Sequence, residues 1–190
     1  MLHRREVVNQ LLRARAAKLA VVSGLGSSTW DIANAGDHAK NFGFIGAMGQ
    51  AAPFALGVAM AKPDHRVLLI TGDGEMLMGL GALATIANQA PTNLAVAVLD
   101  NESYVETGKQ PTATAGATDL EVVANGCGFA SAFTVTNEDQ LDGWRESMLE
   151  GPGPVFSVVK VVVESLPLVF PHSFDGATSM NRFRGALTVE

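Results

Sequence analysis

The sequence predicts an α/β fold: a doubly wound, mainly parallel sheet with helices on both faces. Three observations carry that reading. Short runs rich in β-branched residues are continuously apolar rather than alternating, as strands buried on both faces require. Segments with helical spacing separate them, so strand and helix alternate along the chain. The 190 residues are 47% hydrophobic and include 20 glycines, which suits one sizeable core with tight turns and close helix–sheet contacts.

The elements follow in order. Helical spacing spans 4–16, and "LAVVSG" (19–24) reads as the first strand. "SGLGSSTW" (23–30) has the small residues of a loop leaving that strand. A helix is expected over 50–60, a strand at "RVLLITG" (66–72), a helix over 76–88 and a strand at "NLAVAVLD" (93–100). A helix over 120–126, a strand at 132–136, a helix over 138–149 and a strand at 154–163 complete the alternation. One domain over 1–166 is expected, followed by an extended, partly exposed tail over 167–190, where "SLPLVFPHSFDGATSM" breaks the pattern. No internal repeat or low-complexity tract interrupts it.

Charge and cysteine usage exclude several classes. A net charge of −6 counts against a nucleic-acid surface. The lone Cys127 cannot form an internal disulfide, which favours a reducing compartment. "MLHRREVVNQLLRARAAK" is basic without a continuous apolar centre, unlike a signal peptide, and no apolar run approaches the roughly 20 residues that span a bilayer. A cytoplasmic location without a membrane partner is the expectation.

Two polar clusters stand at the ends of neighbouring hydrophobic runs: Gly72-Asp73-Gly74 and Asp100-Asn101-Glu102. In a doubly wound sheet, ligands collect outside the carboxyl ends of the strands, and both clusters sit there. The 26 residues from Glu75 to Asp100 supply one helix and one strand, a sufficient crossover for a parallel pair. A carboxylate and an amide oxygen are hard ligands suited to Mg²⁺ or Ca²⁺, and Mg²⁺ takes its remaining ligands readily from phosphates. Gly74 and Glu75 would open the next helix with free N–H groups facing the same spot, while Gly72 and Gly74 let the backbone approach a ligand. A metal-bridged diphosphate fits this arrangement.

Gly-Asp-Gly, 26 residues and then Asn resembles the motif of the thiamine diphosphate-dependent enzymes. The resemblance covers roughly residues 15 to 165 and implies the diphosphate-binding domain of that family, with thiamine diphosphate and Mg²⁺ as cofactors. It implies that Asp73 and the Asn101 side chain bind Mg²⁺, with the Ser103 carbonyl as a third ligand. "GAMGQAAPFALGVAMA" (46–61) is similar to the family's preceding helix, where a bulky apolar residue after Gly46 props the cofactor; Met48 holds that position. Ser27 and Ser28 either reach the diphosphate or only form the turn. Tyr104, Thr107 and Gln110 follow the metal loop and either line the pocket or pack beneath it.

These enzymes hold their cofactor between two domains, and the second supplies a glutamate to the aminopyrimidine ring. A 190-residue chain has no room for that domain, and Glu75, Glu102 and Glu106 lie on the diphosphate side. The resemblance therefore implies a pyrimidine-domain alpha subunit as partner and a hetero-oligomer, with self-association of the lone chain through a face around Phe42, Phe44 and Met48. "LDNESYVETGKQPT" (99–112) is similar to the beta subunits of sulfopyruvate decarboxylase and the matching part of phosphonopyruvate decarboxylase, which implies a small 2-oxo acid substrate. Lys109 stands where a small or amide residue is usual, as an added cation for an acidic substrate or a solvated surface lysine. His38, His65 and His172 lack metal-ligand spacing, and of these His38 is the candidate whose loop could approach the pocket. Without a Cys-x-x-Cys pair, iron–sulfur-linked oxidoreductases are disfavoured.

Three functions follow in order. The first is the diphosphate-binding subunit of a two-chain 2-oxo acid decarboxylase. The second is half of a carboligase or an oxidoreductase using the same cofactor. The third is a non-catalytic α/β module whose acidic loop binds Mg²⁺ or docks a partner.

Overall fold

The computed structural model describes residues 1–188. Its strands are β1 (Leu19–Ser23), β2 (Asn41–Gly43), β3 (Arg66–Gly72), β4 (Leu94–Asp100), β5 (Ser103–Tyr104), β6 (Gln110–Pro111), β7 (Ser131–Val135) and β8 (Val155–Lys160). Its helices are α1 (Arg4–Leu12), α2 (Ser27–Asn34), α3 (Ala51–Ala61), α4 (Asp73–Met78), α5 (Ala82–Gln89), α6 (Leu120–Cys127), α7 (Leu141–Glu150) and α8 (Gly176–Ala186). Six strands form one parallel sheet in the order β2-β1-β3-β4-β8-β7, and β5 and β6 form a separate antiparallel hairpin. This is the doubly wound arrangement that the alternating pattern predicts.

Apolar strands make two cores, one on each face. Ala20, Val22, Val67, Leu69, Val96 and Val98 point to the side covered by α3, α5, α6 and α8. Leu19, Val21, Leu68, Ile70, Ala95 and Ala97 point to the side covered by α1 and α7. Successive residues of one strand thus serve opposite cores, which is why the runs show no alternation.

Several local expectations are corrected. The 76–88 helix is two helices, α4 starting at Asp73 and α5, because the chain must pass close to another backbone between them. A Cβ at Gly79 would lie 2.1 Å from the Gly49 carbonyl oxygen. Gly79 therefore lets the segment between the helices press against the loop that carries Met48. "SSTW" opens α2 instead of remaining a loop. The short edge strand β2 has little sequence of its own to mark it and forms by pairing with β1.

The 167–190 segment turns helical at Gly176, with Asp175 as N-cap accepting from the Thr178 N–H at 2.7 Å. Helix α8 returns to the sheet edge. Phe183 is 1% exposed, 5.5 Å from the Phe42 ring, and Arg182 makes a bidentate pair with Asp37 at 2.7 Å. Phe42 is consequently buried, and Phe44 and Phe54 pack around it. The apolar face expected to be bare around Phe42 and Phe44 is covered by the chain's own C-terminal helix. Exposed apolar side chains occur instead at Leu25, Met78, Leu168, Phe170 and Phe174.

Candidate active site

Strand β1 leads through α2 to β2 on one side, and β3 leads through α4 and α5 to β4 on the other. The crossovers therefore diverge between the carboxyl ends of β1 and β3, where ligands bind in sheets of this kind. A cleft of about 490 Å³ opens there. Its lining combines the Gly26–Ser28 turn, Met48, Gly72–Glu75 and the segment from Asn101 to Gln110. No helix of the described residues is long and apolar enough to cross a membrane.

Asp73 opens α4 and is 2% exposed. Its Oδ2 accepts from the Thr112 hydroxyl at 2.5 Å and lies 3.2 Å from the Thr114 hydroxyl. Burial pushes its carboxyl above the usual carboxylate range, the neighbouring Asp100 charge adds to that, and the threonine hydroxyls partly offset it. Among the described residues Asp73 has no ion-pair partner, whereas Asp100 pairs with Lys160 Nζ at 2.8 Å. A buried carboxylate without a counter-charge is a seat that a cation would satisfy.

The other two metal candidates line the same cleft. Asn101 Oδ1 accepts from the Ser103 N–H at 3.0 Å, and the Ser103 carbonyl accepts from the Val105 N–H at 3.1 Å. Each oxygen keeps a second lone pair. The described residues hold no group of three His, Cys, Asp or Glu side chains fit for a metal. One carboxylate, one carboxamide and one carbonyl suit a hard cation that takes its remaining ligands from phosphate. The residues present fit a Mg²⁺-bridged diphosphate.

The glycines of the motif differ in purpose. A Cβ at Gly72 would meet only the Leu99 carbonyl at 3.9 Å, so the space it would fill is cleft. A Cβ at Gly74 would lie 2.3 Å from Tyr104 Cε1, so Gly74 makes room for the tyrosine ring. Tyr104 thus packs on the motif as well as lining the cleft.

Glu75 does something the sequence did not show. Its Oε1 accepts from the Gly49 N–H at 3.0 Å and the Ala51 N–H at 3.2 Å, and its Oε2 accepts from the Thr71 hydroxyl. The carboxylate braces the loop before α3 against the Asp73 turn and thereby fixes Met48, which is half-buried, belongs to neither core and lines the cleft. Replacing Glu75 by Ala leaves two buried N–H groups unpaired. A loss of about 2–4 kcal/mol is expected in urea unfolding, with a smaller loss for Glu75→Gln, whose carbonyl can still accept.

The serines divide. Ser27 faces the cleft and its hydroxyl donates to Glu106 Oε1 at 3.3 Å, while the Ser28 hydroxyl donates to the Gly24 carbonyl at 3.1 Å within its own turn. Thr107 and Gln110 are exposed at the rim and bond to each other at 3.2 Å. Lys109 is exposed and outside the cleft lining. Gly46 is exposed two residues before Met48 and does not line the cleft.

His38 is not part of the site. It precedes β2, so it lies at the amino ends of the strands, opposite the cleft, and its Nδ1 accepts from the Lys40 N–H. Thr112, Thr114 and Lys160 are not evident in the sequence as site residues, because the place of the threonines depends on where the hairpin returns and that of Lys160 on the pairing of β8 with β4.

Three comparisons place the chain among known proteins. The family model of the thiamine pyrophosphate enzymes' C-terminal TPP-binding domain matches residues 24–159. The chain is 35% identical to the sulfopyruvate decarboxylase subunit beta of Methanocaldococcus jannaschii, over 76% of this chain and 77% of that protein. It is also 35% identical to the phosphonopyruvate decarboxylase of Streptomyces viridochromogenes, over 95% of this chain but 45% of that protein, so it spans less than half of that relative. The crystal structure of benzoylformate decarboxylase from Polynucleobacter necessarius superposes with a TM-score of 0.73 at 20% identity, over 88% of this chain and 34% of that one, and shares the fold. The chain belongs to the thiamine pyrophosphate enzyme family, as its C-terminal, TPP-binding domain.

Proposed function

We propose that the chain is the diphosphate- and Mg²⁺-binding subunit of a two-chain, thiamine diphosphate-dependent decarboxylase of a small 2-oxo acid with an anionic tail, similar to sulfopyruvate or phosphonopyruvate. The observation that carries this is a buried carboxylate without a counter-charge, Asp73, sharing the switch-point cleft with Asn101 and Ser103. It stands in a chain whose relatives are named decarboxylases.

The bound cofactor supplies a sink for the electrons released as CO₂ leaves a 2-oxo acid. Asp73, Asn101 and the Ser103 carbonyl would hold the cation. Gly72 would admit the diphosphate, and the N-terminal N–H groups of α2 would offer donors to it. Met48 presents an apolar prop, and Leu25, Met78, Leu99 and Val105 keep the cleft walls dry.

Each glutamate around the cleft already has partners. Glu75 holds Thr71 and the α3 loop, Glu102 pairs with Lys160, and Glu106 accepts from Ser27 and from Trp30 Nε1. The glutamate that acts on the aminopyrimidine therefore comes from a pyrimidine-domain subunit. Product analysis tests the reaction type: the assembled subunits should convert sulfopyruvate or phosphonopyruvate into CO₂ and the corresponding aldehyde in equal amounts. Acyl condensation products instead would assign a carboligase.

A further inference from the structure

Two carboxylates, Asp73 and Asp100, stand at the ends of adjacent strands β3 and β4, close enough for one charge to act on the other. They are treated very differently. Asp100 Oδ1 accepts from the Thr114 hydroxyl at 2.8 Å and the Glu102 N–H at 3.0 Å, and its Oδ2 faces Lys160 Nζ at 2.8 Å. Lys160 is held in turn by Glu102 Oε1 at 2.8 Å. Both oxygens of Asp100 are therefore engaged and its charge is matched. Asp73 is held through Oδ2, and its Oδ1 accepts no side-chain hydrogen bond among the described residues.

The hydroxyl protons allot themselves by distance. Thr112 has one proton and its shortest acceptor is Asp73; Thr114 has one proton and its shortest acceptor is Asp100. Thr112 thus orients Asp73 and Thr114 orients Asp100, and Thr114, 3.2 Å from Asp73 Oδ2 as well, stands between the two carboxylates with Lys160 on the far side of Asp100. Lys160 belongs to β8, the next strand of the sheet, where Asp100 and Lys160 are register partners, so the ion pair is fixed by strand pairing.

We infer that Lys160, acting through Asp100 and Thr114, is a positioning residue that sets the charge of the cation seat: it withdraws Asp100 from the cation and leaves Asp73 as the ligating carboxylate. The inference rests on the cofactor reading above. One unmatched carboxylate binds a bare divalent cation weakly but tolerates the anionic diphosphate that completes its coordination. Two unmatched carboxylates would bind the bare cation better and repel the diphosphate.

This gives a signature that general damage to the fold does not produce. In the chain assembled with its pyrimidine-domain subunit, Lys160→Met should strengthen Mn²⁺ binding without cofactor, followed by the electron spin resonance of free Mn²⁺, and weaken thiamine diphosphate binding at saturating Mg²⁺, followed by calorimetry. Each change should be about tenfold, the scale of one uncompensated charge a few ångströms away at a partly solvated site. The double variant Asp100→Asn with Lys160→Met should return both affinities to within about threefold of the unsubstituted chain, because the charge that Lys160 matched is gone. Should Lys160→Met not fold, Lys160→Gln, which can donate to Asp100 without a charge, carries the test with the same signs.

Opposite shifts restored by the double variant support the inference. Both affinities falling together, no change, or no restoration would overturn it while leaving the cofactor reading intact. Absence of cation-dependent thiamine diphosphate binding by the unsubstituted chain assembled with its pyrimidine-domain subunit would overturn both.

Discussion

Asp73→Ala is expected to weaken Mg²⁺-supported binding of thiamine diphosphate by at least a hundredfold and to leave the fold in place. The effect is large because Asp73 is the charged member of the candidate ligand set and has no cationic partner among the described residues, while the other candidate ligands, the Asn101 amide and the Ser103 carbonyl, are neutral. Without it none of the candidate ligands carries a formal negative charge, and the metal–diphosphate pair loses its charged anchor. Stability should change little. The substitution removes a buried charge that nothing neutralises and leaves the Thr112 hydroxyl without its acceptor, opposing effects of about 1 kcal/mol each, or a few degrees in Tm for a chain of this size. Calorimetric titration beside a thermal melt separates the two. Asn101→Ala should act in the same direction, and binding of ordinary strength in either variant would remove the assignment.

Much of this architecture is legible in the sequence because the strands are buried on both faces, and short, continuous, Val-rich runs such as 93–100 are what such strands require. The carboxyl-end placement of Asp73 and Asn101 follows from the same pattern, since each directly follows or ends such a run. What escapes is whatever depends on two distant backbones meeting. The break between α4 and α5 falls at Gly79 and Gly81, and the close approach of Gly79 to Gly49 that fixes it is not visible in the sequence. Helix α8 has weak amphipathic spacing and is held by Phe183 on Phe42 and Arg182 on Asp37, contacts more than 100 residues apart in sequence. Glu75 reads as a residue that opens the helix with a free N–H toward the ligand, and its side chain proves to be a buried brace that accepts from the N–H groups of Gly49 and Ala51. The Thr112, Thr114 and Lys160 array is invisible for the same reason: three segments bring it together.

The central claim is that this chain forms one half of a split site. In that reading Asp73, Gly72 and Met48, which line its cleft, would seat the cation, admit the diphosphate and prop the cofactor, and among the described residues each glutamate near it has local partners. Leu25 and Met78, exposed at the cleft, together with the nearby Trp30, Phe170 and Phe174 cluster, form an apolar rim that a second subunit would cover. Among the described residues each glutamate at the cleft has a local hydrogen-bond partner, so turnover by the lone chain with cofactor bound is expected to be absent rather than slow. The direct measurement is CO₂ release from sulfopyruvate and phosphonopyruvate with thiamine diphosphate and Mg²⁺, by the purified 190-residue chain alone and after co-expression with a pyrimidine-domain polypeptide from the same genome. Release confined to the co-expressed pair is the expected result, and robust turnover by the single chain would contradict the split site.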